Sequence, residues 1–399
     1  MKKRTDVSIR DFLALEHNIV VLLGALLVIG MGEELWVRFM PKYLEALGAT
    51  AVAIGFYGSF KRIVDTLYQY PGGWLADRLG RKRALTLFNL VAATGYLVYL
   101  LASRWELIIA GTLLVLAWSS MSQPAIFALI GDTLSRSKRA MGFSVQSIWK
   151  RVPIVIAPVL GGYILDRLGF KTGMRIGFAV SLVLALIAAY LQSHFYEERP
   201  PAQRDQTASL RYVWSVMPEA LRRLLLADCL VRFGSNLAGI YVVLWVINVH
   251  HKTPLEFGAL TSLQMLVAIA GYLPAAYLAD RYGRQPFVLL TFAFFSLFPI
   301  ALVVLPSSLI FAAFVIAGMR ELGEPARKAR IVDLAKTTHR GRVVGLYYLI
   351  RGLVTIPAPL LGGILWQQGT TLPFVLGGIA SGLGLLLYGI SPKLTEDMS

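Results

Sequence analysis

Six carboxylates lie inside long apolar segments of the sequence, where little water is available to solvate a charge. They are Glu33, Glu34, Asp65, Asp228, Glu321 and Glu324. A charged side chain at the centre of a bilayer costs roughly 2.5–3.5 kcal/mol on insertion scales, so each is a candidate for a function. Low dielectric favours the neutral form of a carboxyl group, which allows proton uptake and release near neutral pH. We therefore predict these six residues to be proton-coupling sites.

Cationic side chains share these segments and slightly outnumber the carboxylates. The predicted substrate-binding set comprises Arg62, Lys150, Arg151, Arg232, Asn236, Arg320 and Arg351, and Lys61 is a further central cation. Lys150 and Arg351 occupy matching positions of an internal repeat, so two cations from two halves of the chain can hold one anion. The surplus of cations favours an organic anion or zwitterion as the transported solute.

Two charge pairs at helical spacing also have a purely structural interpretation. Arg38 follows Glu34 at i, i+4, and Asp65 follows Lys61 in the same way. Residues at this spacing share one face of a helix and can form an ion pair. For Lys61 and Asp65 a structural ion pair and a functional role both stay open.

A repeated motif marks the elements that must position these charges. Gly-Trp-Leu-Ala-Asp-Arg-Leu-Gly-Arg-Lys-Arg at residues 73–83 returns as Ala-Tyr-Leu-Ala-Asp-Arg-Tyr-Gly-Arg-Gln-Pro at residues 276–286, each time between two apolar segments. An aspartate ends one helix, a glycine permits a tight reversal, and basic residues follow. We expect a clamp between two helices that can be broken and remade. Its predicted residues are Gly73, Asp77, Arg78, Gly80, Arg81, Asp280, Arg281, Gly283 and Arg284.

The first copy of this motif resembles the signature loop between helices two and three of the major facilitator superfamily. The second copy is similar to the weaker version between helices eight and nine, although Gln285 and Pro286 depart from the basic ending. The resemblance covers essentially the whole chain. It implies the fold of a twelve-helix secondary transporter, in which helices one, four, seven and ten line the cavity and a weaker clamp is expected at the second copy.

A second repeat has a structural and a functional interpretation. Ala-Pro-x-Leu-Gly-Gly at residues 157–162 returns at residues 358–363. Proline removes a backbone donor and the glycines permit close helix contact. The segment is similar to a motif of exporting members of the superfamily, but Pro153 and Ala157 stand where that motif has glycine. Export and plain close packing both stay open.

Composition indicates a polytopic membrane protein. Of the 399 residues 56% are hydrophobic and 16% charged, and the mean hydropathy is +0.62. Apolar runs of about 20 residues, each long enough to cross a bilayer as a helix, recur along the chain. They predict an all-α membrane protein with twelve transmembrane helices in two pseudo-symmetric six-helix bundles. The predicted helices cover residues 19–40, 51–76, 83–103, 106–133, 141–165, 174–193, 221–248, 255–279, 286–305, 307–334, 342–366 and 371–390.

The longest hydrophilic stretch divides the predicted bundles. We expect an N-terminal six-helix bundle over residues 1–195, a cytoplasmic linker over 196–219 and a C-terminal six-helix bundle over 220–399. Basic residues concentrate in alternate loops, which by the positive-inside rule face the cytoplasm, so both termini are expected there. The predicted location is the bacterial cytoplasmic (inner) membrane.

Several other classes of protein are excluded by the same pattern. The net charge of +16 lies in short loops beside the helices and does not indicate nucleic-acid binding. The one cysteine, Cys229, rules out a disulfide framework. The sequence has no zinc-ligand spacing, phosphate-binding loop or nucleophile with a base, so neither an enzyme nor a metal or other cofactor is predicted. Expected partners are a small-molecule substrate, protons and membrane lipids, and the chain is expected to be a monomer.

These observations predict a secondary active transporter that moves a small organic anion or zwitterion by alternating access, coupled to protons. One alternative is a proton antiporter that exports drugs or other amphiphilic compounds. An alternative of another class is a membrane sensor or assembly factor that keeps the fold without transporting.

Overall fold

The computed structural model describes residues 16–134, 145–196, 214–215, 217–335 and 340–390. Within these ranges the description excludes the side chains of Gln69, Ala128, Gly131, Asp132, Leu273, Ala276, Asp280, Arg340, Gly341 and Arg342. All regular secondary structure in the described ranges is helical. The all-α prediction is therefore confirmed.

The helices follow one another with short connections. In the first part of the chain they are α1 (His17–Glu34), α2 (Met40–Ala46), α3 (Ala51–Leu79), α4 (Arg81–Leu101), α5 (Trp105–Leu116), α6 (Ser122–Thr133) and α7 (Val152–Phe195). In the second part they are α8 (Glu219–Gly239), α9 (Val242–Leu244), α10 (Pro254–Tyr282), α11 (Arg284–Val304), α12 (Ile310–Met319), α13 (Glu324–Leu334), α14 (Arg340–Thr355), α15 (Ala358–Gln368) and α16 (Leu372–Gly389).

Glycines with positive φ make the reversals that the repeated motif predicted. Gly80, between α3 and α4, has φ 83°, and Gly283, between α10 and α11, has φ 89°. Residues with a Cβ rarely adopt this conformation. A third such glycine, Gly169 (φ 77°), breaks α7 into two helices without a longer loop. The sequence had separated these two helices by residues 166–173.

The first predicted helix is shorter than its apolar run. α1 ends at Glu34 and α2 begins at Met40, whereas the sequence predicted one helix over 19–40. The aromatic side chains of Trp36 and Phe39, in the connection, are buried. Burial of these two side chains favours the break, because a hydropathy pattern does not distinguish a buried turn from a helix.

The two predicted helices that precede equivalent prolines are also interrupted. A π-helical turn, Ala117–Met121, separates α5 from α6, and Pro124 follows it. In the second half residues 320–323 form turns between α12 and α13, and Pro325 follows. Both proline nitrogens lack a donor, and both breaks lie at the same point of the internal repeat. Breaks of this kind free backbone groups and redirect side chains inside the span.

Eight helices of the described residues are long and apolar enough to cross a membrane, or nine if the bent pair Glu219–Gly239 and Val242–Val249 is one span. One of these stretches, Val145–Phe195, contains the break at Gly169. α3 is not among them, and it carries Lys61, Arg62 and Asp65 near its middle. The predicted number of twelve transmembrane helices stays a prediction.

The chain forms two compact units by contacts between its residues. Unit 1 consists of Met1–Ala49, Phe60–Asp205 and Lys252–Ser262. Unit 2 consists of Thr50–Ser59, Gln206–His251 and Leu263–Ser399. Each unit thus includes a short segment that begins a helix of the other half of the sequence. The predicted domain limits at 195 and 220 stay a prediction.

Each unit has an apolar core of its own. In unit 1 the Trp36 ring packs edge-on against Tyr96, Tyr99 and Phe178, with ring centroids 5.2–6.1 Å apart. In unit 2 the buried core includes Leu224 and Phe292. Burying such side chains contributes about 25 cal/mol per Å² of apolar surface.

The glycines of the second repeat allow helices to approach backbone to backbone. In unit 1 a Cβ added at Gly161 would collide with the carbonyl oxygen of Leu35. In unit 2 a Cβ added at Gly362, the equivalent residue, would collide with the carbonyl oxygen of Leu237. The structure therefore gives this motif a close-packing role in both units.

Candidate functional site

A network of buried charges occupies unit 2. α8 carries Asp228, and α13 carries Glu324 and Arg327. Arg327 Nη1 donates to Asp228 Oδ2 at 2.6 Å, and Arg327 Nη2 donates to Glu324 Oε2 at 2.7 Å. Asp228 is 0% and Arg327 1% exposed. Ionised groups this deep are stable only because they compensate one another.

Two further arginines and a tyrosine complete the network. Arg232, one turn after Asp228 on α8, contacts Asp228 at 3.4 Å and also pairs with Glu324. From α14, Arg351 Nη1 lies 3.3 Å from Asp228 Oδ2, and the Tyr347 hydroxyl donates to the same oxygen at 2.9 Å. Three guanidinium groups thus surround two carboxylates, which leaves one positive charge in excess.

The three arginines differ in their exposure. The Arg327 side chain is 2% exposed, whereas those of Arg232 and Arg351 are 22% and 23% exposed. Arg327 therefore lies at the centre of the network and the other two at its edge. Arg232 and Arg351 were predicted as substrate ligands and Asp228 and Glu324 as proton carriers, and the structure brings all four together.

Arg320 has surroundings of another kind. It lies at the turn after α12, where its Nε donates to the carbonyl oxygen of Ala317 at 3.0 Å. Its guanidinium carbon is 4.3 Å from the centroid of the Phe298 ring and 5.0 Å from that of Phe295. The Arg232 guanidinium also lies over Phe295, at 4.5 Å. The two aromatic rings of α11 therefore hold both cations by cation–π contact.

The remaining predicted residues of unit 2 lie beside this group. Asn236 donates through Nδ2 to the carbonyl oxygen of Arg232 at 2.7 Å, which places the amide one turn along α8. Glu321 follows Arg320 in the same turn and interacts electrostatically with Arg232 and Arg320. The α8 and α12–α13 elements thus bring all predicted substrate residues that they carry close to the network.

Unit 1 holds a carboxylate with a neutral hydrogen-bond donor. The Tyr96 hydroxyl, on α4, donates to Glu33 Oε1 at 2.5 Å. The positive groups in electrostatic range of Glu33 are Lys61 and Lys150. Its sequence neighbour Glu34 forms the expected ion pair with Arg38 at 3.0 Å. Glu34 is therefore neutralised within its own segment, while Glu33 is held mainly by a hydroxyl.

The other polar residues of unit 1 lie on α3 and at the start of α7. The Ser120 hydroxyl, in the π-helical turn, donates to Asp65 Oδ1. Arg62 accepts a hydrogen bond from Thr66 through its carbonyl oxygen, at 2.9 Å. Lys150 is exposed and Arg151 precedes α7. The proposed clamp of Lys150 with Arg351 involves both units and stays a prediction.

The first copy of the repeated motif contains the expected ion pair. Arg81 Nη1 lies 2.7 Å from Asp77 Oδ1, with the arginine side chain 6% and the aspartate side chain 57% exposed. Arg78 stacks on Trp74 at 4.3 Å. A Cβ added at Gly73 would touch Pro124 at 3.4 Å, so this glycine packs against α6.

The second copy is built differently. Arg284 pairs with Asp333 of α13, and Arg281 lies 5.6 Å from the ring centroid of Tyr282. The side chain of Asp280 lies outside the described residues. A carboxylate of another helix thus contributes to the second clamp, which the motif alone did not indicate.

Sequence reasoning missed three contributors to these sites. Arg327 was recognised as a charge near a helix end but not as the centre of the network. Tyr347 precedes Arg351 by one turn, and this spacing was an available signal. Tyr96 and its contact with Glu33 had no signal in the sequence, because the two residues are distant in the chain and meet only through the tertiary structure.

Similarity to known proteins agrees with this architecture. A family model described as "Major Facilitator Superfamily" matches residues 22–225 and 224–397. "Multidrug resistance protein 2" of Bacillus subtilis (strain 168) is 24% identical over 398 residues, covering 95% of this chain and 96% of the relative. "Multidrug resistance protein MdtH" of Proteus mirabilis (strain HI4320) is 24% identical, covering 85% and 82%. Among solved structures, a mutant of the nucleoside transporter NupG superposes with a TM-score of 0.77 at 11% identity, covering 93% of this chain and 98% of that one, which is a similarity of fold.

Proposed function

Since the chain belongs to the Major Facilitator Superfamily, we propose that it moves a small organic anion or zwitterion across the bacterial cytoplasmic membrane by alternating access, with proton coupling. The family assignment makes it a multi-pass membrane transporter and not an enzyme. The proposal adds the class of solute, the coupling ion and the membrane. It also includes two six-helix bundles, cytoplasmic termini, a lipid-embedded monomer and a small-molecule substrate.

The observation that carries the proposed solute class is the excess of arginine in unit 2. Asp228 and Glu324 together face Arg232, Arg327 and Arg351, so one positive charge is uncompensated within the network. An anion at the edge of the network would remove that excess. Hydrogen bonds between a guanidinium and an oxyanion are among the strongest that proteins make.

Proton coupling is assigned first to Glu33. Asp228 and Glu324 are each held by more than one arginine, which stabilises their ionised forms. Glu33 instead accepts a hydrogen bond from the neutral hydroxyl of Tyr96. Proton uptake at Glu33 would therefore break no direct ion pair of the described residues, whereas protonation of Asp228 would leave several arginines without their counter-ion.

A second candidate function is export of drugs or other amphiphilic compounds in exchange for protons. The names of the two relatives, both multidrug resistance proteins, favour it. In this function an organic cation would compete with a proton for Glu33. The two candidates differ in the charge of the solute, which makes them separable by experiment.

The test begins with a thermal-shift screen of the purified protein against anionic, zwitterionic and cationic compounds. Compounds that raise the unfolding temperature are then tested for counterflow, and for accumulation in proteoliposomes under an imposed pH gradient, with empty liposomes and a protonophore as controls. The proposal predicts that anions or zwitterions bind and accumulate. Binding of cations alone would favour drug export. Saturable binding without counterflow would instead indicate a sensor with this fold.

A further inference from the structure

Arg320 is the one arginine of this group that the described part of unit 2 leaves without a carboxylate at ion-pair distance. Arg232, Arg327 and Arg351 each contact Asp228 or Glu324. The hydrogen bond of the Arg320 side chain within the described residues goes from Nε to the carbonyl oxygen of Ala317. This bond uses Nε alone, so both Nη atoms have donors to offer.

The position of Arg320 is fixed by the break between α12 and α13. The Gly323 amide donates to Thr291 Oγ1, on α11, at 2.8 Å. A Cβ at Gly323 would collide with the carbonyl oxygen of Phe287, so the turn lies directly against α11. Thr291 is fully buried, at 0% exposure. The turn is thus held rigidly, and the guanidinium of Arg320 is held over the α11 aromatic rings.

The aromatic contacts orient the guanidinium. Phe298 and Phe295 lie 4.3 and 5.0 Å from its central carbon and are 6% and 4% exposed. Contacts with a ring face involve the face of the guanidinium and leave its edge, where the Nη hydrogens point, available. Two parallel N–H groups at that edge match the two oxygens of a carboxylate.

The geometry points to Arg320 as the residue that anchors the substrate, through a carboxylate group of an organic acid. This inference rests on the proposed transport of an organic anion and narrows it to one residue and one functional group. Arg232, 4.5 Å from the same Phe295 ring, adds positive charge nearby. Arg327 and Arg351 belong to the ion network and have a structural role.

The test compares Arg320→Gln with the wild-type protein, using benzoate and octanoate as carboxylate probes and benzamide and phenyl phosphate as controls. Binding is measured by calorimetry on the purified full-length chain. We expect both carboxylates to bind the wild type more tightly than benzamide or phenyl phosphate does. Arg320→Gln should raise their Kd at least about tenfold, as expected for loss of charge-assisted hydrogen bonds. Arg104→Gln, which removes a charge from a side chain that is 74% exposed, should leave the Kd unchanged.

The unfolding temperature separates this role from a structural one. A guanidinium without a carboxylate partner costs free energy to desolvate, so Arg320→Gln should keep or raise the unfolding temperature without ligand. Arg320→Lys, which keeps the charge but loses the planar fork, should also bind benzoate more weakly.

Three results would overturn the inference. Unchanged carboxylate binding in Arg320→Gln would overturn it while the proposed function stands. Equal binding of phenyl phosphate and benzoate by the wild type would overturn the assignment of a carboxylate. Binding of no organic anion at all by the wild type would mean that the proposed function itself fails.

Discussion

The Arg327 guanidinium and the Asp228 carboxylate form a 2.6 Å ion pair between α13 and α8, with both side chains almost completely buried. Neither charge would be tolerated alone at that depth, so each depends on the other. The pair joins the helix that follows the α12–α13 break to the helix that carries Arg232. The stability of unit 2 and the shape of its candidate site therefore depend on the same contact.

Replacing Arg327 with methionine should strongly destabilise the protein, because it leaves Asp228 and Glu324 with fewer counter-ions in a buried environment. Breaking a buried pair by removing one partner costs about 3–5 kcal/mol. The matched control is Arg223→Met, which breaks an exposed pair with Glu219 and should cost less than about 1 kcal/mol. Unfolding temperatures in detergent compare the two, and equal shifts would show that the network contributes no more than a surface pair.

Glu33→Gln should abolish accumulation of substrate under a pH gradient while exchange of substrate for substrate continues. The substitution removes the group that takes up the proton but keeps a side chain of the same size near Tyr96. Tyr96→Phe, which removes the hydroxyl donor, should weaken coupling less than Glu33→Gln does. Both rates are measured in proteoliposomes. Should Glu33→Gln still concentrate substrate, the proton carrier is another carboxylate, or the coupling ion is not a proton.

Asp77→Asn should slow the transport cycle without preventing insertion or substrate binding. It removes the charge that neutralises Arg81, whose side chain is only 6% exposed. Asp280→Asn should have a smaller effect, because Arg284 of the second copy already pairs with Asp333. Counterflow rates and calorimetric Kd values distinguish slow cycling from lost binding. Normal counterflow in both variants would show that these loops only set topology.

Gly323→Ala should lower the unfolding temperature and weaken carboxylate binding together, because the added Cβ has no room beside Phe287 and would displace the turn that carries Arg320. The matched control is Gly345→Ala, on α14, where nothing lies within 4 Å of the added Cβ. That change should be neutral or stabilise the helix by up to about 1 kcal/mol. If Gly323→Ala retained wild-type stability and binding, the turn would not be the element that positions the site.

The sequence by itself determined the membrane class, the helical architecture and the internal repeat. These depend on local properties, which composition and spacing record. The reversals at Gly80 and Gly283 and the Glu34–Arg38 pair are of this kind, since a glycine conformation and an i, i+4 contact involve only neighbours in the chain.

The tertiary structure alone decided which charges meet. Arg327 bonds to Asp228 of another helix, and Tyr96 bonds to Glu33, across long separations in sequence. Spacing along a helix shows which residues share its face, but not which helix packs against that face. The distinction between paired arginines and Arg320, which is held over the rings of α11, follows only from that packing.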